Sequence, residues 1–403
     1  MSGTSRSGAR SLTIAVAAAG IASFALLYAP QPVLPQIAET YGLDPGSASL
    51  AVSVATAGLA IAVLPIAVLS EVIGRRPIIV ISLVVSVLLG LVIPFAPNYP
   101  ILLVLRGLQG AAIAGFPGVA AAFLVEKLGA RGVAGAVGAM VAGNTIGGML
   151  GRLAAGFSAD WLGWQGALAG SALLSLACAS VALIALARQR RADRRLVAEP
   201  GGRQGLLPGL AAAMRQPVLL AQYAIALLGM GAFVALYNAA AFRLTGEPLH
   251  LAPAVASLVF LAYAMGAVSS SLAGWLVGRF GRVPALIGAL IVTTLGAALT
   301  LSNWLPLVLA GFVVLTGGFF AAHAVSSGWT ASAAQPGARG QASGLYTLAY
   351  YLGSSVGGTG GSVVFAHAGW GALIGMVAVW LGLAMVAVLA VRHHGVHRAH
   401  HAG

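Results

Sequence analysis

The sequence predicts an all-α membrane protein of twelve transmembrane helices, arranged as two pseudo-symmetric six-helix bundles. Three observations predict it. Hydrophobic residues make up 59% of the 403-residue chain and charged residues only 7%, with a mean hydropathy of +0.96; soluble chains average about 25% charged. Apolar runs of roughly 20 residues recur along the chain, each long enough to cross a bilayer core as a helix. Finally, a basic, glycine-containing turn, Ser70–Pro77 (SEVIGRRP), returns as Gly278–Pro284 (GRFGRVP). Setting Gly74 on Gly281 also sets Arg75 on Arg282 and Pro77 on Pro284. An echo at about half the chain length marks two related halves.

The spans are expected at residues 12–31, 48–69, 78–96, 101–123, 132–155, 165–187, 216–241, 253–276, 284–302, 305–329, 341–364 and 370–391. Short alternating segments, the mark of an outer-membrane barrel, are missing. The first ten residues are small and polar and are expected to be disordered. No cleavable signal peptide is expected, because the first span is too long and no processing site follows it. That span closes on Tyr28-Ala29-Pro30-Gln31-Pro32-Val33-Leu34-Pro35, and three prolines predict a broken outer end. Span 3 closes on the turn-forming run Pro94–Pro100. Residues 188–215 form a long polar, Arg-, Gly- and Pro-containing stretch and are expected to link residues 1–187, the first bundle, to residues 216–403, the second bundle with its tail. The tail holds His393, His394, His397, His400 and His401, a solvated basic end by expectation. Cys178, the single cysteine, excludes an intramolecular disulfide and suits packing in span 6.

The formal net charge of +13 is distributed by side rather than gathered into a nucleic-acid surface. Every Lys and Arg except Arg106, Arg152 and Arg243 falls in segments on one side of the expected spans. The positive-inside bias therefore places both termini in the cytoplasm, and the remaining role of these charges is to meet anionic lipid. Lys127 is the sole lysine among many arginines, beside abundant Ala and Gly, which reads as the coding bias of a GC-rich bacterium and an inner-membrane location.

Few residues inside the spans can carry chemistry. Arg106 lies about six residues into span 4, roughly 9 Å below its outer end, where a charge must face protein or water. Arg152, near the outer end of span 5, suits either a snorkelling anchor or a contact to an anion or substrate. Arg243, after span 7, is a weaker candidate of the same kind. His323 is the one histidine inside any expected span, and no Asp or Glu sits at mid-depth, so it joins Glu39 and Asp44 as the titrating groups on hand. A hydrogen-bonded core histidine is the other reading. Tyr28, Gln31, Gln109, Asn144, Arg152, Tyr237, Asn238, Tyr263, Tyr346 and Tyr350 supply rings and amides suited to a cavity at the midplane between the halves; ordinary packing would use the same residues. Gly143, Gly147, Gly148 and Gly151 are echoed by Gly353, Gly357 and Gly358, a spacing that lets helix backbones approach closely. No nucleotide-binding loop, metal-ligand pair or catalytic triad is visible, so neither an enzyme nor a cofactor is expected.

Certain of these stretches match signatures of a known family. The turn between spans 2 and 3 follows G-x-x-x-D-x-x-G-R-[KR], with Glu71 for the acid, then Gly74, Arg75 and Arg76, and Ala67 for the first glycine. Its second copy keeps Gly274, Gly281 and Arg282, with Gly278 at the acidic place. Arg106 and Gly110 fit R-x-x-x-G in span 4. In span 5, Gly143, Gly147 and Gly151 fit G-x-x-x-G-P-x-x-G-G, while Gly148 replaces the proline and Arg152 the last glycine. On these motifs residues 12–391 resemble the major facilitator superfamily, and GNTIGGMLGRLAAG, GFFAAHAVSS and YYLGSSVGG look most similar to its YnfM-like branch of bacterial exporters.

The resemblance implies proton-coupled efflux of a drug-like or sugar-like organic compound by a monomer cycling between two states, with Arg106 and His323 in the coupling. It also implies a cytoplasmic gate of Glu71, Gly74, Arg75, Arg76, Glu126, Gly281 and Arg282. There Glu71 would hold the start of span 11 near Gly340–Ser343, and Arg75 would pair with Glu126. Two rivals stand beside it: uptake of a sugar or organic anion by proton symport, and a membrane sensor or scaffold, for which the linker and tails leave no room for a signalling domain.

Overall fold

The computed structural model describes residues 6–190, 206–335 and 337–400. Residues 1–5, the middle of the 188–215 linker and the side chains of the histidine-rich tail therefore lie outside the described residues, whereas residues 6–10, expected to be disordered, are the first turn of a helix. All regular structure among the described residues is helical. In order the helices are α1 (Arg6–Leu27), α2 (Leu34–Tyr41), α3 (Pro45–Ile73), α4 (Arg75–Val92), α5 (Tyr99–Ile113), α6 (Ala120–Arg190), α7 (Leu206–Met214), α8 (Pro217–Thr245), α9 (Pro253–Ser257), α10 (Ala264–Phe280), α11 (Arg282–Leu299), α12 (Leu305–Ala333) and α13 (Arg339–His400). Nine helices among the described residues are long and apolar enough to cross a membrane, and Tyr99–Ile113 is a shorter apolar one. Two of the nine, Gly135–Arg188 and Arg339–Val391, run 54 and 53 residues, far more than the ~20 residues that one crossing needs. Each holds two spans, divided where Gly163 (φ 63) and Gly369 (φ 77) adopt left-handed backbone. Counted so, the twelve expected spans are present.

The chain divides into two compact units. Unit 1 holds residues 1–42, 50–201 and 252–260; unit 2 holds residues 43–49, 202–251 and 261–403. In unit 1, Gly143, Gly147 and Gly151 of α6 face Ala17, Ile21 and Ala25 of α1, so closely that a Cβ on any of the three would come within 3.0 Å of α1 backbone. In unit 2, Gly353, Gly357 and Gly361 of α13 face Leu227, Gly231 and Ala235 of α8 in the same manner. Apolar side chains such as Val72, Leu88, Val104, Val356 and Val386 point outwards, as a helix meeting lipid tails requires.

The repeated basic turn is repeated in its backbone. Gly74 (φ 98, ψ 145) precedes α4 and Gly281 (φ 85, ψ 166) precedes α11, both in a region that side chains with a Cβ rarely enter. A proline stacks three residues on in each, Pro77 and Pro284, inside the first helical turn where its missing N–H costs nothing.

Proline placement also explains two of the three departures from the expected spans. Span 1 ends early: α1 stops at Leu27, a short 3-10 turn follows at Gln31–Val33, and α2 runs to Gly42, whose φ of 63 caps it. Pro30 offers no N–H to the carbonyl of Leu26, and the N–H of Gln31 bonds Tyr28 O at 3.1 Å instead of continuing the α-helical ladder. Span 4, expected as one helix over 101–123, is interrupted between α5 and α6 by the turn Ala114–Val119, which contains Gly115, Pro117 and Gly118. There Phe116 N–H takes Ile113 O at 3.0 Å, and Ser82 Oγ donates to Ala112 O at 2.7 Å. Span 8 likewise consists of α9, a 3-10 stretch at Leu258–Tyr263 and α10 rather than one helix.

Candidate functional site

Unit 1 places two arginines in its interior, each about 2% exposed or less. Arg106 donates through Nε to Ala51 O at 2.7 Å and through Nη1 to Leu26 O at 3.1 Å. Its Nη2 donates to Leu27 O, and Nη1 also meets Gln109 Oε1. Gln109 in turn donates to Ser86 O at 3.0 Å. The break in α1 sets these contacts. Leu26 and Leu27 carry the carbonyls at the end of the helix, and the planar, five-donor guanidinium bridges them to the first turns of α3. The expectation that Arg106 must face protein is met, and its partners are backbone carbonyls.

Arg152 corrects a reading open in the sequence. It does not snorkel; it is 1% exposed and folds inwards along α6. Nη1 donates to Gly148 O at 2.7 Å, one turn back, and Nε donates to Gln31 Oε1. The guanidinium carbon lies 4.5 Å from the ring centre of Tyr28 and 5.3 Å from that of Phe260, both within cation–π range. A Cβ on residue 148 would stand 2.9 Å from Arg152 Nη1. Gly148 in place of the motif's proline and Arg152 in place of its glycine are thus one paired change: the missing side chain makes room for the added one.

Phe260 reaches this cluster through a regular seam. Asp160 Oδ2 accepts from Ala254 N at 3.4 Å, and Gly156 packs on Ser257 so tightly that a Cβ would clash. Residues 160, 156 and 152 of α6 therefore meet 254, 257 and 260 in turn. No signal in the sequence pointed to Phe260. Asn144, also expected at the site, lies half-buried beside Gly20, and its Oδ1 has no hydrogen-bond partner among the described residues.

Unit 2 gathers rings instead of charges. Phe233 stacks on Phe319 at 4.1 Å, and Tyr237 and Tyr263 pack edge-on at 5.0 Å in the same cluster. The Tyr237 hydroxyl shares a 2.7 Å hydrogen bond with Thr316, and Asn238 is fully buried next to it in sequence. Phe319 carries the cluster on to His323, 6.2 Å away and nearly parallel. His323 Nδ1 shares a 3.0 Å hydrogen bond with Tyr346 OH, and Tyr350 lies 4.7 Å from its ring. One turn along α12, Ser326 donates to Gln222 Oε1 at 2.7 Å. Gln222 Nε2 and the neighbouring Tyr223 hydroxyl are buried with no hydrogen-bond partner among the described residues. Gln222 and Ser326 were not expected at the site, although an amide inside a span is itself a signal. Arg243, 9% exposed, donates to Asn303 Oδ1 at 2.7 Å and to the carbonyls of Glu247 and Ser302, closing the outer end of α8.

At the basic turns the expected ion pair is present: Arg75 Nη1 lies 2.8 Å from Glu126 Oε2 and also donates to Ala122 O at 3.1 Å. Arg76 donates to Leu186 O at 2.7 Å. In the second copy Arg282 lies over the ring of Trp329, 6.0 Å from its centre.

Comparison with known proteins places this architecture. The sequence profile of the Major Facilitator Superfamily matches twice, over residues 16–246 and 238–402. The MFS-type transporter YybF of Bacillus subtilis (strain 168) is 35% identical over 376 residues, 93% of this chain and 92% of its own. The inner membrane transport protein YnfM of Escherichia coli (strain K12) is 36% identical over 375 residues, 93% of this chain and 89% of its own. Among solved structures, a bacterial homologue of the human lysosomal transporter Spinster, inward-facing and unoccupied, superposes with a TM-score of 0.78 at 17% identity, covering 97% of this chain and 98% of its own. That likeness concerns the fold. With two profile matches spanning the chain and relatives of this closeness, the chain belongs to the Major Facilitator Superfamily and is a multi-pass membrane transporter of that family.

Proposed function

We propose that the protein is a proton-coupled exporter of a small organic compound across the bacterial inner membrane, with both termini in the cytoplasm. One observation carries the coupling: a histidine inside a membrane span, its Nδ1 held by Tyr346 at 3.0 Å, in a chain whose spans offer no mid-depth carboxylate. In this reading Nδ1–H donates to the Tyr346 oxygen, which leaves Nε2 to gain and lose the proton. Arg106 serves the cycle by positioning: it holds the end of α1, from which Tyr28 and Gln31 extend. Glu71, Gly74, Arg75, Arg76 and Glu126 serve as the cytoplasmic gating elements of unit 1, and Gly281 and Arg282 as those of unit 2.

The test is flux in proteoliposomes under an imposed pH gradient. His323→Gln is expected to keep substrate exchange while losing gradient-driven accumulation. Accumulation unchanged in that variant would refute the role of His323. Inverted vesicles fix direction: acidifying their interior should drive substrate inwards, and the opposite response would identify an importing symporter.

A further inference from the structure

The two basic turns share a backbone and differ in where their charges go. In the first, Arg75 is half-buried against Glu126 at 2.8 Å, and Arg76 reaches Leu186 O at 2.7 Å. Glu71 lies in the same turn, so the sequence supplies acids as well as arginines there. Setting Gly74 on Gly281 sets Glu71 on Gly278, Val72 on Arg279 and Arg76 on Val283. The second copy has thus lost an acid and gained an arginine at a place where the first has a valine. Residues 248–403 contain no Asp or Glu, and neither Arg279 nor Arg282 has an ion-pair partner among the described residues. Both arginines are exposed.

Their neighbours are apolar and exposed as well. Phe280, between the two arginines, is 56% exposed, and Trp275, one turn before Arg279 on the same face of α10, is 63% exposed. The two rings pack edge to face at 6.1 Å. A fully hydrated face is the usual setting of surface arginines, but it would leave both rings in water. Rings so exposed at the end of a membrane-spanning helix belong at the acyl–headgroup boundary, and they fix the level of the turn. The guanidinium groups beside them stand among the headgroups.

We infer that the second basic turn binds the headgroup phosphate of an anionic phospholipid, held by Arg279 and Arg282, with Trp275 and Phe280 against its acyl chains. Arginine suits the ligand because its planar donors match two phosphate oxygens at once. The Arg282 guanidinium carbon lies 6.0 Å from the ring centre of Trp329, and a neutral ring cancels none of its charge. Anionic lipid is favoured over zwitterionic, because no carboxylate in residues 248–403 can receive the ammonium of an ethanolamine headgroup. In the first turn Arg75 is engaged with Glu126 and is not part of such a site.

The test is native mass spectrometry of the full-length protein in detergent, titrated with phosphatidylglycerol and, separately, with phosphatidylethanolamine of the same chains. Wild type is expected to retain phosphatidylglycerol the more tightly, by about fivefold or more, the scale of one arginine near an anionic surface. Arg279→Gln and Arg282→Gln should each weaken phosphatidylglycerol about fivefold, and the double variant more than either. Both substitutions are at exposed positions, so the fold is not at stake. Arg339→Gln, at an exposed arginine of the same unit between Ala338 and Gly340, should leave retention unchanged. Equal retention of the two lipids by wild type would overturn the site. So would a loss from Arg339→Gln as large as that from Arg279→Gln, which would leave only diffuse attraction between a basic surface and acidic lipid. Displacement of the lipid by glycerol 1-phosphate, which has the phosphate without the chains, would assign the arginines to a soluble ligand and overturn the lipid reading.

Discussion

The α1–α6 pair of unit 1 and the α8–α13 pair of unit 2 are built on one plan and finished differently. The glycines of the two seams correspond at one constant spacing: Gly143, Gly147 and Gly151 to Gly353, Gly357 and Gly361. At the same spacing the partner helices match, Ala17, Ile21 and Ala25 to Leu227, Gly231 and Ala235. Carrying that register outwards sets Pro30 on Ala240, Tyr28 on Asn238 and Arg152 on Ser362. So α8 runs unbroken to Thr245 where α1 stops at Leu27, and α12 needs no basic residue to mend an end that is not broken. Ser362 turns back to Gly358 O at 2.9 Å as Arg152 turns back to Gly148 O, but it brings no charge. Packing is shared by the halves, whereas Arg106 and Arg152 fall on Thr316 and Ser362 and have no arginine as counterpart. A residue that the repeat does not impose is where selection for chemistry, or repair of a local defect, is to be sought.

The largest effect is expected where repair is removed. Arg106→Met strands the carbonyls of Leu26 and Leu27, which have no helical donor beyond the break, and each buried orphan costs about 1–3 kcal/mol. Thermal unfolding in detergent, followed by size-exclusion, should show a large drop in Tm. Pro30→Ala in that background returns an N–H to Leu26 O and should recover part of the loss, a coupling that a double-mutant cycle reads directly. The mirror experiment, Ala240→Pro, creates the same defect in α8 with no arginine to meet it, at about 3 kcal/mol. Additive losses for Arg106→Met and Pro30→Ala would dissolve the link between the break and the arginine.

Next come the seams themselves. Gly147→Val and Gly357→Val each force a side chain into a facing backbone, and overpacking of this sort costs about 1–3 kcal/mol. Equal losses are expected in the two halves. Gly360→Ala and Gly375→Ala, whose new Cβ atoms meet nothing within 4 Å, serve as controls and should leave Tm unchanged. Unequal losses at 147 and 357 would show that the seams are alike in geometry only.

The fold was legible in the sequence because its causes are local. Run length sets the spans, φ-positive glycines set the turns, and the prolines at 30, 32 and 35 announced the break after span 1. The gap at Ala114–Val119 was equally present in Gly115, Pro117 and Gly118, but the surrounding apolar run masked it. Side-chain destinations were less legible. Arg106 and Arg152 are both arginines in outer halves of spans, and nothing local says that one meets carbonyls and the other meets Tyr28 and Phe260. Phe260 lies more than a hundred residues from Arg152 and reaches it through the 160–254 and 156–257 contacts, which are long-range facts. His323 was visible as a lone histidine; its partner Tyr346 lies on another helix, where no helical phase read from sequence could choose it from the neighbouring rings.

A third comparison concerns the two basic turns. Gly74→Ala and Gly281→Ala place a Cβ at φ 98 and φ 85 with extended ψ, at about 1–3 kcal/mol each. Space is not the obstacle, since the nearest atoms to a new Cβ are proline Cδ atoms at 3.5 and 3.9 Å. The loss should therefore be similar in both copies and the same for Ala and Ser. A marked difference between the two substitutions would point to contacts rather than backbone.

The smallest effect separates the copies again. Arg75 meets a carboxylate, Glu126, whereas Arg282 meets the face of Trp329. The Arg75 side chain is 13% exposed and that of Glu126 39%, so the pair is partly solvated and should contribute about 0.2–1 kcal/mol. Trp329→Leu removes a cation–π contact of similar size, about 0.5–1 kcal/mol at an exposed site. Magnitude will not tell the two apart, but salt will. The ion pair joins two charges across water-accessible space and weakens as the Debye length falls from about 10 Å at 0.1 M to about 3 Å at 1 M. Arg282 meets the quadrupole of a neutral ring rather than a second charge, an interaction that salt screens less than an ion pair. The Tm cost of Glu126→Gln should therefore shrink markedly between 0.1 M and 1 M NaCl in the same detergent, while that of Trp329→Leu should hold. Equal salt dependence in the two variants would mean that Arg282 is stabilised by an acid rather than by the ring, and that the second turn kept the electrostatics of the first after all.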